Sequence, residues 1–290
     1  MSHLMDEIAS QPEVWQRAIA AAAKAPLPAA GQRVAVIGCG SSLNVARCYA
    51  WLREAAGHGL TDAYPASELT ATRPYDHMVF ISRTGTTTEV LEALRHAPEG
   101  VTTTAITADA SAPLASGTDN VALLDFANEQ SVVSSRFISS AIVLVRAHLG
   151  EDLSALPEAG VRAVAKPLAP ELATRAEFTF LGRRWAAFVA DEAALKLREA
   201  SRSWAESYPA MEYRHGPISV SDENTVTWAI GEVPASLIAD TARTGATVVA
   251  EGGDPLTGLI GAQRLAVMLA ARKGIDPDQP RALSRSVILA

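Results

Sequence analysis

The sequence predicts an α/β protein with two subdomains, each a parallel sheet flanked by helices in a doubly wound, Rossmann-like three-layer arrangement. Three observations carry this. Short apolar runs alternate with longer helical patterns along most of the chain. Two turns rich in small and hydroxyl residues stand where a strand hands over to a helix. The opening of strand, glycine turn and helix then recurs in the second half.

In chain order, residues 1–30 read as a helical leader. Gln11-Pro12-Glu13 opens an amphipathic stretch that runs to about Lys24, and Pro26 and Pro28 end it. Residues 31–155 form the first subdomain, with strands expected at Val34–Ile37, Asp62–Ala66, Met78–Ile81, Thr102–Thr107 and Val121–Leu124. Helical patterns lie between them at Leu43–Ala55, Thr87–His96 and Ser134–His148. From Gly150 to about Glu171 the Ala- and Pro-rich sequence reads as a connecting arm. Residues 156–290 form the second subdomain, with strands at Phe178–Leu181, Thr225–Ile230 and Thr247–Ala250. A long helix is expected from about Trp185 to Ser203 and another from Gln263 to Arg272, while Glu206 to Pro217 reads as a loop.

A chain of 290 residues buries a sizeable core without covalent staples. Its two cysteines, Cys39 and Cys48, fall in one turn-helix unit and complete no metal-ligand spacing, so no metal site is expected. A net charge of -7 argues against a nucleic-acid partner, which normally requires a basic face. No apolar run is long enough to span a bilayer and the first residues lack a signal-peptide pattern, so a cytoplasmic protein is expected.

The two turns look like a phosphate cradle. Gly38-Cys39-Gly40-Ser41-Ser42 follows the first strand and Ser82-Arg83-Thr84-Gly85-Thr86-Thr87-Thr88 follows the third. Small residues let the backbone approach an anion, hydroxyls donate to its oxygens, and a helix start adds partial positive charge. A plain Ser/Thr helix cap with Arg83 turned to solvent is the alternative for the second turn. Further on, Glu192, Lys196, Glu199 and, if the helix extends, Glu206 share one helix face. From spacing alone that row reads first as a solvated face with an i,i+4 pair. His215 stands in a loop bounded by Gly216 and Pro217.

The strings Ala194-Leu195-Lys196-Leu197-Arg198-Glu199, Ala205-Glu206-Ser207-Tyr208 and Glu212-Tyr213-Arg214-His215-Gly216-Pro217 resemble the SIS (sugar isomerase) family, in particular the isomerase domain of glucosamine-6-phosphate synthases. The likeness extends to the Gly-Cys-Gly-Ser-Ser turn, Ala66-Ser67-Glu68, the Ile81–Thr87 loop, Glu129–Arg136 and Lys273–Arg281, covering nearly the whole chain as a double SIS unit. The resemblance implies that Ser41, Ser42, Ser82, Thr84 and Thr87 hold the sugar phosphate and that Ser134 lies on the loop contacting the sugar; Gly40 and Arg83, on the same two turns, are expected to bind the substrate with them. It implies that Glu199 moves a proton between C1 and C2, that His215 helps open the sugar ring, and that Lys196 and Glu192 line the same pocket. In the family the histidine comes from a neighbouring subunit, which implies a homodimer with shared sites. Physical chemistry agrees with these roles. A carboxylate can take and return a proton on one face when partial burial lifts its pKa, and histidine is the acid-base group of neutral pH.

The chain departs from the synthase pattern in three places. No glutamine amidotransferase part with its cysteine nucleophile precedes the isomerase part, so glutamine is not expected as nitrogen donor. Arg285 stands where the pattern has an imine-forming lysine, and an arginine can clamp an anion but cannot do that chemistry. Arg83 and Thr86 replace glutamine and glutamate, which should favour an anionic ligand. The expected function is conversion of glucosamine 6-phosphate to fructose 6-phosphate and ammonia, without a cofactor. A fructosamine 6-phosphate deglycase and an aldose-ketose isomerase share the same logic, and a non-catalytic sugar-phosphate regulator is the alternative of another class.

Overall fold

A computed structural model describes residues 2–69 and 73–289. The chain divides into two compact units. One comprises Ser10–Pro157 and Ser284–Ala290, the other Met1–Ala9 and Glu158–Leu283.

The first of these holds a five-stranded sheet built from β1 (Val34–Gly38), β2 (Thr61–Pro65), β3 (His77–Ile81), β4 (Thr102–Thr107) and β5 (Asn120–Leu123). All pairings are parallel and the order is β2-β1-β3-β4-β5. Parallel strands sheltered on both faces read as continuous apolar runs, and every residue of Val34–Gly38 and His77–Ile81 is buried. Helices α2 (Gln11–Ala22), α3 (Ser41–Ala55), α4 (Thr88–Arg95), α5 (Pro113–Gly117) and α6 (Arg136–His148) flank this sheet. Helix α6 is buried from Phe137 through Arg146, and α2 packs on it through Trp15, whose indole donates to Ser139 Oγ at 2.8 Å.

The second unit holds β6 (Glu177–Gly182), β7 (Trp204–Pro209), β8 (Thr225–Ile230) and β9 (Thr247–Ala250), parallel in the order β7-β6-β8-β9. Its helices are α1 (His3–Ala9), α8 (Ala186–Ser201), α9 (Ala235–Ala242) and α10 (Pro255–Arg272). Alanines at 187, 190, 193, 194 and 200 let α8 lie close to its neighbours, and α10 makes the most extensive of its contacts. Among the described residues no helix is long and apolar enough to cross a membrane.

The two-sheet α/β architecture follows the sequence expectation, with differences at its seams. The arm expected from Gly150 to Glu171 contains a further helix, α7 (Leu156–Ala165), whose alanines and valines carry it through Pro157 in the first turn. The leader of residues 1–30 is two helices that fall in different units, and Ser284–Ala290 belongs with the first sheet rather than with residues 156–283. The segment from Glu206 opens on a strand, β7, so Glu206 does not continue the charged helix face. Its carboxylate instead accepts from the Tyr208 hydroxyl at 2.9 Å. Helix α10 begins at Pro255, eight residues before Gln263, with the Asp254 carboxylate accepting the Leu256 amide at 2.9 Å.

Candidate functional site

The hydroxyl-rich turns stand at the carboxyl ends of β1 and β3, which are hydrogen-bonded neighbours although β2 separates them in sequence. The chain leaves β1 for one edge of the sheet and β3 for the other, and such a switch point is where open α/β sheets form a ligand crevice. At the first turn the close approach of strand and helix demands glycine. A Cβ on Gly38 would lie 2.7 Å from the Ser42 carbonyl group. Gly40 has φ 53°, and its carbonyl accepts the Leu43 amide at 3.0 Å as α3 begins. Ser41 is half-buried and Ser42 buried within the first turn of α3. Cys39 packs into the core beside them, and burial pushes its thiol pKa up.

At the second turn the Ser82 hydroxyl lies 3.1 Å from that of Thr87 and accepts the Gly85 amide at 3.1 Å. Gly85 has φ 62° and abuts Ala112, where a Cβ would clash at 2.5 Å. Thr84, Thr86 and Thr88 carry a different set of partners, supplied by the closing residues of the chain. Thr84 and Thr86 donate to Ser286 Oγ at 3.2 and 2.9 Å. The Thr88 amide donates to the Val287 carbonyl at 3.1 Å, and the Leu289 amide donates to Thr88 Oγ1 at 3.0 Å.

Arg83 does not face solvent, and the cation that the sequence offers to an anionic ligand is matched by an acid of the chain itself. Its side chain is 7% exposed and pairs with Glu129 at 3.0 Å, because a buried guanidinium needs a carboxylate and carbonyls to replace water. Nη1 also donates to the Ser131 carbonyl, and Nη2 to the carbonyls of Val132 and Arg285, at 3.1, 3.2 and 3.1 Å.

Glu129 is the residue that sequence reasoning left without a role. It accepts the Ser134 hydroxyl at 2.7 Å and the Ser135 and Arg136 amides at 2.6 and 2.7 Å, so it caps the start of α6. Burial pushes its carboxyl pKa up, but Arg83, the Ser134 hydroxyl and the Ser135 amide outweigh that and hold it below the usual carboxylate range. An acidic residue a few positions ahead of Ser134-Ser135 and a helical pattern was the available signal. The Ser134 hydroxyl, expected near the sugar, is therefore a donor to Glu129. Arg285 is exposed and donates to Asn128 Oδ1 at 2.7 Å.

In the other unit the charged row lies on α8. Glu192 and Lys196 are each 1% exposed and Glu199 is 20% exposed at its side chain, which excludes the solvated-face reading. Lys196 Nζ lies 3.2 Å from Glu192 Oε1 and 2.6 Å from Glu199 Oε2. Burial pulls the Lys196 pKa down, yet the two carboxylates hold it above the usual lysine value. The arrangement is a buried ion triad with one carboxylate left accessible.

His215 ends a 3-10 turn, Ala210–His215, and is exposed. Two anchors hold this turn. Tyr213 is fully buried with its hydroxyl on Ser221, and Arg214 donates through Nε to Asp240 at 2.6 Å. Gly216, at φ 132°, then reverses the chain. The strand before the turn is tied to α8 by the Ser207 hydroxyl, which donates to Asp191 at 2.7 Å.

Comparison with known proteins adds three findings. Residues 29–147 match the family model described as SIS domain. The chain is 30% identical to a glutamine–fructose-6-phosphate aminotransferase (isomerizing) from Caulobacter vibrioides, in an alignment covering 98% of this chain and 58% of the relative. The chain thus spans less than two thirds of the length of the curated relatives it matches. Among solved structures, glucosamine-6-phosphate deaminase from Thermotoga maritima superposes with a TM-score of 0.84 at 25% identity, covering 99% of this chain and 100% of that one. Tagatose-6-phosphate ketose/aldose isomerase from Escherichia coli shares the fold, with a TM-score of 0.79 at 17% identity over 100% and 96% of the two chains.

Proposed function

We propose that this chain, which carries a SIS domain at residues 29–147, is a phosphosugar-processing enzyme acting on an amino-sugar 6-phosphate. Glucosamine 6-phosphate is converted to fructose 6-phosphate and ammonia. The observation that carries the proposal is the Glu192–Lys196–Glu199 row, in which two members are sealed from water and the third keeps an accessible carboxylate. A helix spends buried charge in this way where a carboxylate must be held in one position, because ion pairs of this kind add little net stability. The named relatives favour this reading, since one is a glucosamine-6-phosphate deaminase and another an isomerizing aminotransferase for fructose 6-phosphate.

In the proposed sequence the phosphate is held by the turns at Ser41-Ser42 and Ser82–Thr87, and its binding energy orients the reacting end. His215 moves the proton that opens the sugar ring and frees the C1 aldehyde. Glu199 takes the proton from C2, the C1 oxygen gains a proton as the enol forms, and Glu199 returns a proton to C1. The C2 amine becomes a ketose imine, and one water hydrolyses it to the ketose and ammonia. Lys196 fixes the Glu199 carboxylate throughout. Arg285 has no free amine with which to form an imine of its own, so the nitrogen in play is that of the substrate. The exposed His215 turn supports a homodimer in which a second copy receives this histidine. A cytoplasmic setting belongs to the same reading.

The test is a substrate panel of glucosamine, galactosamine, N-acetylated and plain hexose 6-phosphates and fructosamine phosphates, with ketose and ammonia measured separately. Equal release of both from glucosamine 6-phosphate is expected. Amine release confined to fructosamine adducts replaces the proposal with a deglycase, and isomerisation of plain hexose phosphates without ammonia replaces it with an isomerase. Glu199→Gln should abolish turnover while phosphosugar affinity stays within about threefold; an active variant removes Glu199 as the base.

A further inference from the structure

Arg83 touches two separate stretches of chain, residues 129–132 and Arg285, with one guanidinium. Nη1 engages Glu129 and the Ser131 carbonyl, and Nη2 engages the Val132 and Arg285 carbonyls, between 3.0 and 3.2 Å. Its own carbonyl is fixed as well, accepting the Ala108 amide at 3.0 Å and the Thr107 hydroxyl at 3.2 Å. The same turn is covered from outside by residues 286–289, through Ser286 on Thr84 and Thr86 and through Val287 and Leu289 on Thr88. Thr84 is thus shared, being a hydroxyl of the candidate phosphate turn and a donor to the tail. Glu129 in turn fixes Ser134 and the start of α6.

We propose that Arg83 is a positioning residue that fastens the phosphate turn, the Glu129–Ser135 loop and the closing tail into one preorganised unit. Without this fastening the tail loses its hold on Thr84, Thr86 and Thr88, and the turn pays the ordering cost itself when an anion arrives. Only a planar fork of donors can serve a carboxylate and three carbonyls at once, so a lysine keeps the charge for Glu129 but not the connection to Arg285. The inference rests on the reading of Ser82–Thr87 as a phosphate turn.

The experiment uses the full chain, with inorganic phosphate and glucosamine 6-phosphate as probes in calorimetry and amide hydrogen exchange as a ligand-free readout. In Arg83→Lys, exchange at the Thr88 and Leu289 amides should rise at least tenfold and phosphate affinity should fall about tenfold. A chain ending at Leu283 should lose affinity to a similar extent, and adding Arg83→Lys to it should cost little more, because both changes remove one connection. Full rescue by lysine would reduce Arg83 to a counter-charge for Glu129 and overturn the proposal. Additive losses, or tighter phosphate binding in the shortened chain, would overturn it too. Arg83→Gln gives the same contrast with the charge removed, and if it fails to fold the lysine variant and the shortened chain still decide. Should Ser82→Ala with Thr87→Ala leave phosphate affinity unchanged, the phosphate assignment fails, while the exchange measurement continues to test the fastening.

Discussion

Replacing Lys196 by methionine removes the one ammonium between Glu192 and Glu199 while keeping similar bulk. The attraction it supplies is large. At an effective dielectric of about 20, the contacts at 2.6 and 3.2 Å are worth about 6 and about 5 kcal/mol gross, most of it offset by the desolvation of three charges. Loss of the lysine leaves two carboxylates facing each other, and the folded protein avoids that by taking up a proton. Holding a proton against a carboxyl of ordinary value near 4.3 costs about 1.36 kcal/mol per pH unit above it. The cost is therefore about 1 kcal/mol at pH 5 and about 5 kcal/mol at pH 8. The sign follows from linkage: the variant binds more protons folded than unfolded, so its stability falls as pH rises. Urea denaturation followed by tryptophan fluorescence at the two pH values, against the parent, measures the difference. A deficit that grows by about 4 kcal/mol from pH 5 to pH 8 is expected. An equal deficit at both pH values, or one under about 1 kcal/mol at pH 8 as for an exposed pair, would show that the buried triad does not carry the charge balance assigned to it.

Four further outcomes follow from the site and its support. Ser82→Ala combined with Thr87→Ala should weaken phosphosugar affinity about tenfold or more with little effect on turnover at saturation, measured as a rise in KM against an unchanged kcat. His77 is buried, lies 2.7 Å through Nε2 from Thr104 Oγ1, and has its pKa lowered by burial. Its neutral form is favoured by folding, so its contribution is complete above about pH 6.5 and is lost as pH falls; His77→Gln should flatten the stability curve between pH 7 and pH 5, where a histidine can contribute up to about 1.4 kcal/mol per unit. Glu129 contributes in the same direction at lower pH, through a carboxyl held below the usual range, and Glu129→Gln should blunt the acid transition below about pH 4.5. Cys39, with its thiol pushed up by burial, should react with a disulfide reagent at pH 7.5 at least tenfold more slowly than free cysteine, and a rate equal to the free thiol would contradict its packing.

The sheets were legible because parallel strands shielded on both faces leave uninterrupted apolar runs such as Val34–Ile37 and Met78–Ile81. The edge strand β7 was not, because Trp204-Ala205-Glu206-Ser207-Tyr208-Pro209 carries polar groups on an edge and ends in proline. An internal repeat would have found it. Ala63-Tyr64-Pro65-Ala66-Ser67-Glu68 and Ser207-Tyr208-Pro209-Ala210-Met211-Glu212 share Tyr-Pro-Ala and the glutamate two places on, and both pass from an edge strand into a 3-10 turn. The hydroxyl turns could be placed from sequence, since glycine at positions 38, 40 and 85 answers to close approach or to positive φ. The fate of Arg83 could not. Whether an arginine faces a ligand or a buried acid depends on Glu129, which lies 46 residues away and is brought beside it only by the fold.

The order in which the polypeptide is made runs against the order in which its parts complete one another. Residues 10–157 are synthesised long before Ser284–Leu289, yet they share a unit, and the turn after β3 meets Ser286 and Val287 only when synthesis has passed the entire second sheet. A nascent or prematurely terminated product can therefore hold a finished first sheet with Thr84, Thr86 and Thr88 still lacking their late partners. Ligand affinity is therefore best measured with Ser284–Leu289 intact and with any purification handle placed away from that segment.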